Sequence, residues 1–367
     1  PSPRFNGYRK LVSFGDGSEE SAVTFGLLAA GLEDSDPELS DELYFIFENG
    51  APRLSIYGPL SLTVDISINH TGIPSINTSN YPGYLSHFRF NANTNYESAL
   101  WILNGDSLYD HRNDDAGETT IYALGAPLSL GRSSFYYPSA TDARMKNVIV
   151  PFSQFPEWAG GAQPISERSL TNRTWPRSSQ ASFAHLGISA VSESLMQNDP
   201  QKWLRRILFI NTKQDYPIIL FYDSVTGKEQ NIWSIFFTSQ GPIQTPVGNI
   251  EPVKRVYDNK SRKELPQGTA AKTLNSGWSA FHFTGQKWNK LYHKSEGINW
   301  DISFFSRKAS DFSLAQWTTT WQNDAEAREF QKSNNRAYSD EQQILRLKTD
   351  QSVLAVIRPY AKDAKRS

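Results

Sequence analysis

The sequence predicts a mainly β fold: a large antiparallel β-sandwich preceded by a short helical segment. Three observations carry this. Trp, Tyr and Phe make up 13% of the 367 residues and come with 23 Gly and 20 Pro, a mix that suits a turn-rich β protein. From Leu54 onward, apolar residues recur with a period of two in run after run, separated by turn residues. Helical spacing is confined to residues 1–50.

The helical segment comes first. "SEESAVTFGLLAAGL" (18–32) and "DPELSDELYFIFENG" (36–50) each begin with an acidic or Ser-containing turn, continue with apolar residues at helical spacing, and carry Gly31 and Gly50 near their ends. "RLSIYGPLSLTVDISI" (53–68) then alternates Leu54 and Ile56, followed by Leu60, Leu62, Val64, Ile66 and Ile68, as a half-buried strand does. Further strands are predicted at "YLSHFRF", "SALWIL", "TTIYALGAPLSL", "NVIVPF", "RRILFI", "PIILFYDSV", "IWSIFFTS", "WSAFHFT", "INWDISFFS", "AQWTTTW", "QQILRLK" and "SVLAVIRPY". So many strands with so little helix between them point to an antiparallel sandwich rather than a parallel sheet. "MQNDPQKW" (196–203) is the one place where the strand region could divide. The reading is therefore two parts, residues 1–50 helical and 51–367 sandwich.

Composition excludes several classes. There is no cysteine, hence no disulfide, thiolate metal site or thiol nucleophile. A formal charge of -1 with dispersed basic residues lacks the footprint of a nucleic-acid partner. No apolar run approaches the roughly 20 residues of a membrane span. The opening "PSPRFNGYRK" shows no signal peptide, and a mature or truncated product would open in the same way.

One stretch concentrates chemistry. "DHRNDDAGETTIYALGAPLSLGRSSFYYP" (110–138) sets a histidine and an arginine among acids just ahead of a strand. If residues 110–115 are extended, His111, Asn113 and Asp115 share one face, and Asp110, Arg112 and Asp114 the other. Gly117 then permits a sharp turn. The segment is either a solvated hairpin end or half of an active site.

These residues resemble the heparinase II/III-like polysaccharide lyases, in which a His-Arg-His-x-Asp-x-Gly segment leads into a strand, and a His-Asn-x-Val segment follows, matched here by "MKNVIVP" (145–151). "RRILFINTKQDYPIILFYDSVTG" resembles the paired strands of that family, "EQQILRLKTDQSVLAVIRPYAK" its closing strands, and "LVSFGDGSEESAVTFGLLAAGL" the last helices of the α/α toroid that precedes its supersandwich. The resemblance implies β-elimination on a uronate-containing acidic polysaccharide by a secreted or periplasmic enzyme. It makes His111 the catalytic histidine of the sandwich, with Arg112, His87, Arg89 and Tyr137 as candidate substrate contacts. It also implies further catalytic residues from a toroid portion or companion chain, so that the apolar faces around Phe25, Leu28, Leu43 and Phe47 would pack on other toroid helices.

The sequence departs from the family where relatives hold a divalent ion, often zinc. Asn113, the stretch from Gly131 to Ser133, and Lys146 stand where two imidazoles and a carboxylate would be needed, so no metal or other cofactor is expected. Lys146 or Arg132 would supply local positive charge instead, by pairing with Asp115. His87 and Arg89 share a strand face, where they either meet an acidic sugar or hold the structure. His185, His282 and His293 read as core or surface residues. The rival to the lyase reading is a non-catalytic carbohydrate-binding or structural sandwich.

Overall fold

The computed structural model describes residues 24–49, 77–94, 96–104, 116–129, 146–152, 175, 177–212, 216–227, 229–258, 263–265, 272–285, 298–319, 342–350 and 352–361. Two helices come first, α1 (Thr24–Leu32) and α2 (Pro37–Asn49). Asp36 caps α2, its Oδ1 accepting from the Leu39 amide at 3.1 Å. The two helices cross closely because Gly26 has no side chain: a Cβ there would lie 3.1 Å from the Phe47 ring. Phe47, expected to face other toroid helices, is turned onto α1. Leu28 does face outward and is 52% exposed. The strand read at 53–68 lies outside the described residues.

Three sheets follow among the described residues. A five-stranded antiparallel sheet runs in sequence order through β1 (Ser79–Tyr81), β2 (Leu85–Phe90), β3 (Ser98–Leu103), β4 (Thr119–Ala123) and β5 (Ala126–Ser129). The run read as one strand at 119–130 is, over its described residues 119–129, a hairpin. Leu124 and Gly125 both take positive φ, 53° and 77°, and turn the chain back on itself.

A seven-stranded sheet is ordered β15 (Lys263–Leu265), β14 (Val253–Asp258), β19 (Ser310–Thr319), β20 (Gln342–Thr349), β11 (Asn231–Phe237) and β6 (Ile149–Pro151), with β16 (Lys272–Leu274) also on β19. A nine-stranded sheet is ordered β13 (Gly248–Ile250), β12 (Ile243–Thr245), β17 (Gly277–Phe283), β18 (Asn299–Ser306), β21 (Ser352–Tyr360), β10 (Pro217–Thr226), β9 (Gln201–Asn211), β8 (Ser189–Asn198) and β7 (Arg177–Leu186). Apart from the parallel pair β14–β19, neighbours are antiparallel. The 196–203 stretch does not divide the sandwich; it turns β8 into β9.

The inner face of the nine-stranded sheet serves both of the others. Phe209 on β9 packs against Phe88 and Phe90 of β2. Farther along, Phe304 meets Trp233 of β11, and Phe281 meets Phe312 of β19. All belong to one buried apolar cluster, so among the described residues the sheets pack as a sandwich around a shared core, with a smaller cluster of Ala99, Trp101 and Tyr122 on the other face of the five-stranded sheet. No described helix is long and apolar enough to cross a membrane.

Candidate active site

His111 and Arg112 belong to the segment that joins β3 to β4, and Tyr137 to the one that joins β5 to β6; all three lie outside the described residues. The points where both segments end are described. The first delivers the chain to Ala116, Gly117 and Glu118, the second to Lys146, Asn147 and Val148, and the two stretches meet. Arg205 Nη1 donates to the Gly117 carbonyl and to the Asn147 carbonyl, each at 2.7 Å. Beside them Lys146 Nζ lies 3.4 Å from Glu118 Oε2, both side chains buried. Asp115, the partner expected for Lys146, lies outside the described residues.

Arg205 reaches this junction because β9 and β10 carry charges at inward positions. Trp203, Arg205 and Ile207 alternate inward on one strand, and Phe221, Asp223 and Val225 on its neighbour. Arg205 Nε and Nη2 donate to the two Asp223 oxygens at 2.8 and 3.0 Å, and the indoles of Trp203 and Trp233 donate to the same carboxylate at 2.8 and 2.7 Å. A buried ion pair persists only when its hydrogen-bonding capacity is met in this way. Asn147 extends the junction: its Nδ2 donates to Thr119 O, and its Oδ1 accepts from Phe236 N, each at 2.7 Å, tying β4 to β11. Gly117 is required at the crossing. Its φ is +79°, and a Cβ there would stand 2.8 Å from Trp203 Cη2 and 2.9 Å from Met196 Cε.

The other face of the five-stranded sheet holds His87 and Arg89, which do share a face. Arg89 Nε donates to His87 Nε2 at 3.2 Å, and its Nη1 is ion-paired with Glu97. The His87 ring stacks on Trp101 at 4.7 Å, with Tyr122 edge-on to the indole at 5.7 Å. All of these side chains are buried. Burial, and then the Arg89 charge, push the His87 pKa well below the usual histidine value, so the ring is neutral. The structure thus gives His87 and Arg89 internal partners and brings them together with Glu97 and Trp101.

A metal ion does not fit the residues at the motif. Lys146, standing where the resemblance places an imidazole ligand, is a buried cation opposite Glu118, and an ammonium offers no lone pair. Among the described residues no three or more His, Asp or Glu side chains gather as a metal site would need.

Sequence reading missed Arg205 and Asp223. Both fall within apolar strand runs that read equally well with either face inward, so alternation carried no parity signal; the structure turns them inward, where a buried charge needs an opposite partner. Sequence reading also missed a cluster on the outer face of the nine-stranded sheet. There His282 Nδ1 is 2.9 Å from Asp301 Oδ1 and is hydrogen-bonded to the Tyr360 hydroxyl, while Arg358 bonds Asp301 Oδ2 at 3.2 Å. These four groups satisfy one another across three strands.

Solved structures share this architecture over the whole chain. A heparinase III gene product aligns over 98% of the chain with a TM-score of 0.54 and 11% identity. Heparan sulfate lyase HepC from Pedobacter heparinus aligns over 100%, with a TM-score of 0.58 and 10% identity. The fold is shared with heparan sulfate lyases. The chain spans less than half of those proteins, 44% and 46% of their lengths. No protein-family model matches the sequence, and no curated protein does.

Proposed function

We propose that this chain is the sandwich part, with the end of a helical toroid, of a polysaccharide lyase that cleaves a uronate-containing polysaccharide by β-elimination. Residues 1–50 form the toroid end and 51–367 the sandwich. The observation that carries the reading is the junction at Arg205: one guanidinium holds the exits of both motif-bearing segments, Gly117 and Asn147, within a fold shared with heparan sulfate lyases. A structural linker has no need to fix two long segments to one point; a site assembled from both does.

In such a reaction a base takes the proton at C5 of the uronate, the electron pair forms the C4–C5 double bond, and the C4–O bond breaks. The departing oxygen receives a proton. C5–H is a weak acid, so donors near the carboxylate must stabilise charge as it builds. His111 is the proposed acid–base group of the sandwich. Arg112 and Tyr137 are proposed contacts to the sugar. His87 and Arg89, committed to Glu97 and Trp101, are proposed to bear on substrate through the sheet face they hold together. The remaining acid–base groups are proposed to come from toroid residues or a companion chain, and an acidic polysaccharide substrate is in keeping with a secreted or periplasmic enzyme.

The test is His111→Gln in the complete enzyme. An amide donates a hydrogen bond but cannot take and return a proton, so turnover is expected to fall by about two to four orders of magnitude while polymer binding holds. Absorbance of the unsaturated product reads the rate, and a rate near wild type refutes the assignment. The alternative, a non-catalytic carbohydrate-binding sandwich, draws on exposed aromatics of the outer sheet; it predicts binding with no unsaturated product from any uronate polymer.

A further inference from the structure

The outer face of the nine-stranded sheet carries a row of side chains that no fold requirement explains. Register places Trp278 opposite Phe305, Phe305 opposite Leu354, Leu354 opposite Tyr222, and Tyr222 opposite Arg206. Residues directly opposite in a sheet project to the same face, so these five form one line across β17, β18, β21, β10 and β9. Strands are about 4.8 Å apart, so the line from Trp278 to Arg206 measures about 19 Å. Trp278 is 60% exposed, Phe305 38% and Tyr222 37%. Large apolar side chains exposed in a row mark a binding surface more often than scattered ones do.

The flank of the row is polar and basic. Two residues along β21 and β10, on the same face, stand Ser352 and Ser224, and Arg307 follows just past the end of β18. Tyr222, Phe305 and Leu354 also border a cleft of about 450 Å³, into which Arg307, Lys308 and Lys348 converge. That volume lies within the range of small-ligand sites. The two acids there are engaged: Asp350 accepts from Lys308 at 3.4 Å, and Asp311 accepts from Thr273 at 2.7 Å. Lys348 lies 4.1 Å over the Phe152 ring. Arg307 is exposed and has no hydrogen-bond or ion-pair partner among the described residues.

We propose that this row and its cleft form a non-catalytic binding site for an acidic oligosaccharide. The spacing of successive strands is close to the length of one sugar unit in an extended glycan, so successive rings would meet Trp278, Phe305, the apolar Leu354 and Tyr222 in turn. The C–H-rich face of a pyranose matches the electron-rich face of an indole or phenol. Its hydroxyls and carboxylates project from the edge, toward Ser352, Ser224 and Arg307. A protein partner would call for a broad apolar plane with a sealed rim, whereas this row is a single line of exposed rings beside a cationic cleft. The ligand class is read from this surface alone and stands whether or not His111 is catalytic.

The full chain is titrated with heparin-derived and alginate tetrasaccharides, and with neutral cellotetraose, by tryptophan fluorescence and calorimetry. An acidic tetrasaccharide is expected to bind, and Trp278→Ala to weaken it about tenfold. Arg307→Ala is expected to erase the preference over cellotetraose. His111→Gln is expected to bind these probes as the wild type does, so failure of the catalytic reading shows in product formation and failure of this one in binding. No binding of either acidic probe overturns the proposal, as does unchanged binding by Trp278→Ala. A wild-type dimer that Trp278→Ala dissociates also overturns it, by showing that a second copy covers the face.

Discussion

His87 shows how one side chain couples packing to pH. Its Nε2 accepts from Arg89 Nε, so the proton of the neutral ring sits on Nδ1. Protonating Nε2 would turn an acceptor into a second donor facing a guanidinium, inside a buried stack on Trp101. Both effects lower the folded-state pKa, burial first and Arg89 second, although Glu97 offsets part of the local positive charge. The unfolded chain therefore binds the proton more readily. Stability is fully present above the unfolded pKa of about 6.5 and is lost as pH falls from there toward the lowered folded value. Thermal unfolding of the wild type should thus drop in midpoint on acidification below about pH 6.5, more steeply than that of His87→Asn, which still offers an acceptor. Equal slopes would assign the acid lability to other groups. Alternation alone placed His87 and Arg89 on one face. Their partner Glu97 was hidden, because it returns to Arg89 through a hairpin turn whose Asn91 and Asn93 take positive φ.

At the scale of elements, the strands that sequence reading found are those with apolar inward positions; it missed β1, β7, β8 and β12 to β16, and β8 is instructive. β8 points Ala190, Ser192, Ser194 and Met196 inward. The two serines join Ser86 and Asn104 in a polar contact between the nine-stranded and five-stranded sheets. Where a sheet interface is hydroxyl-lined, period-two hydrophobicity vanishes although the strand is regular. The Arg205–Asp223 clamp was hidden in another way, since "RRILFI" and "FYDSV" read equally well with the charges outward. Asp223→Asn tests the clamp. It preserves shape but leaves Arg205 buried without a counter-charge, at an expected cost of about 3 to 5 kcal/mol. Arg205→Met with Asp223→Leu should not regain that loss, because it removes the buried charges but leaves the Trp203 and Trp233 indole N–H groups and the Gly117 and Asn147 carbonyls without their partners. Urea midpoints of the three proteins decide it: a loss below about 1 kcal/mol in Asp223→Asn would mean that the junction at Gly117 and Asn147 is held by other contacts.

The order of strands within the whole molecule was not legible, because it is set by pairings between distant segments. β6 joins β11 from some eighty residues away, and β14 enters its sheet through a parallel contact with β19. No local pattern encodes such closures; they follow from which apolar faces remain to be covered. The same logic applies to the helices. α1 and α2 cover each other through Gly26 and Phe47, and Ser40 Oγ donates to the Ala29 carbonyl at 2.7 Å. Leu27, Leu28 and Leu39 stay exposed on the pair. Fully burying one leucine is worth about 1.5 to 3 kcal/mol, so three on one short helical hairpin favour a partner surface. Helices of a toroid portion or companion chain would supply it, in keeping with a chain that spans under half of the lyases whose fold it shares. In the absence of that partner the chain should associate with itself through this patch. Sedimentation velocity is expected to show oligomers that Leu28→Ser combined with Leu39→Ser converts to monomer, since both side chains are exposed and their loss spares the core. If the unsubstituted chain sediments as a monomer at every concentration, α1 and α2 need no further helices, and residues 1–50 are a finished cap rather than the end of a toroid.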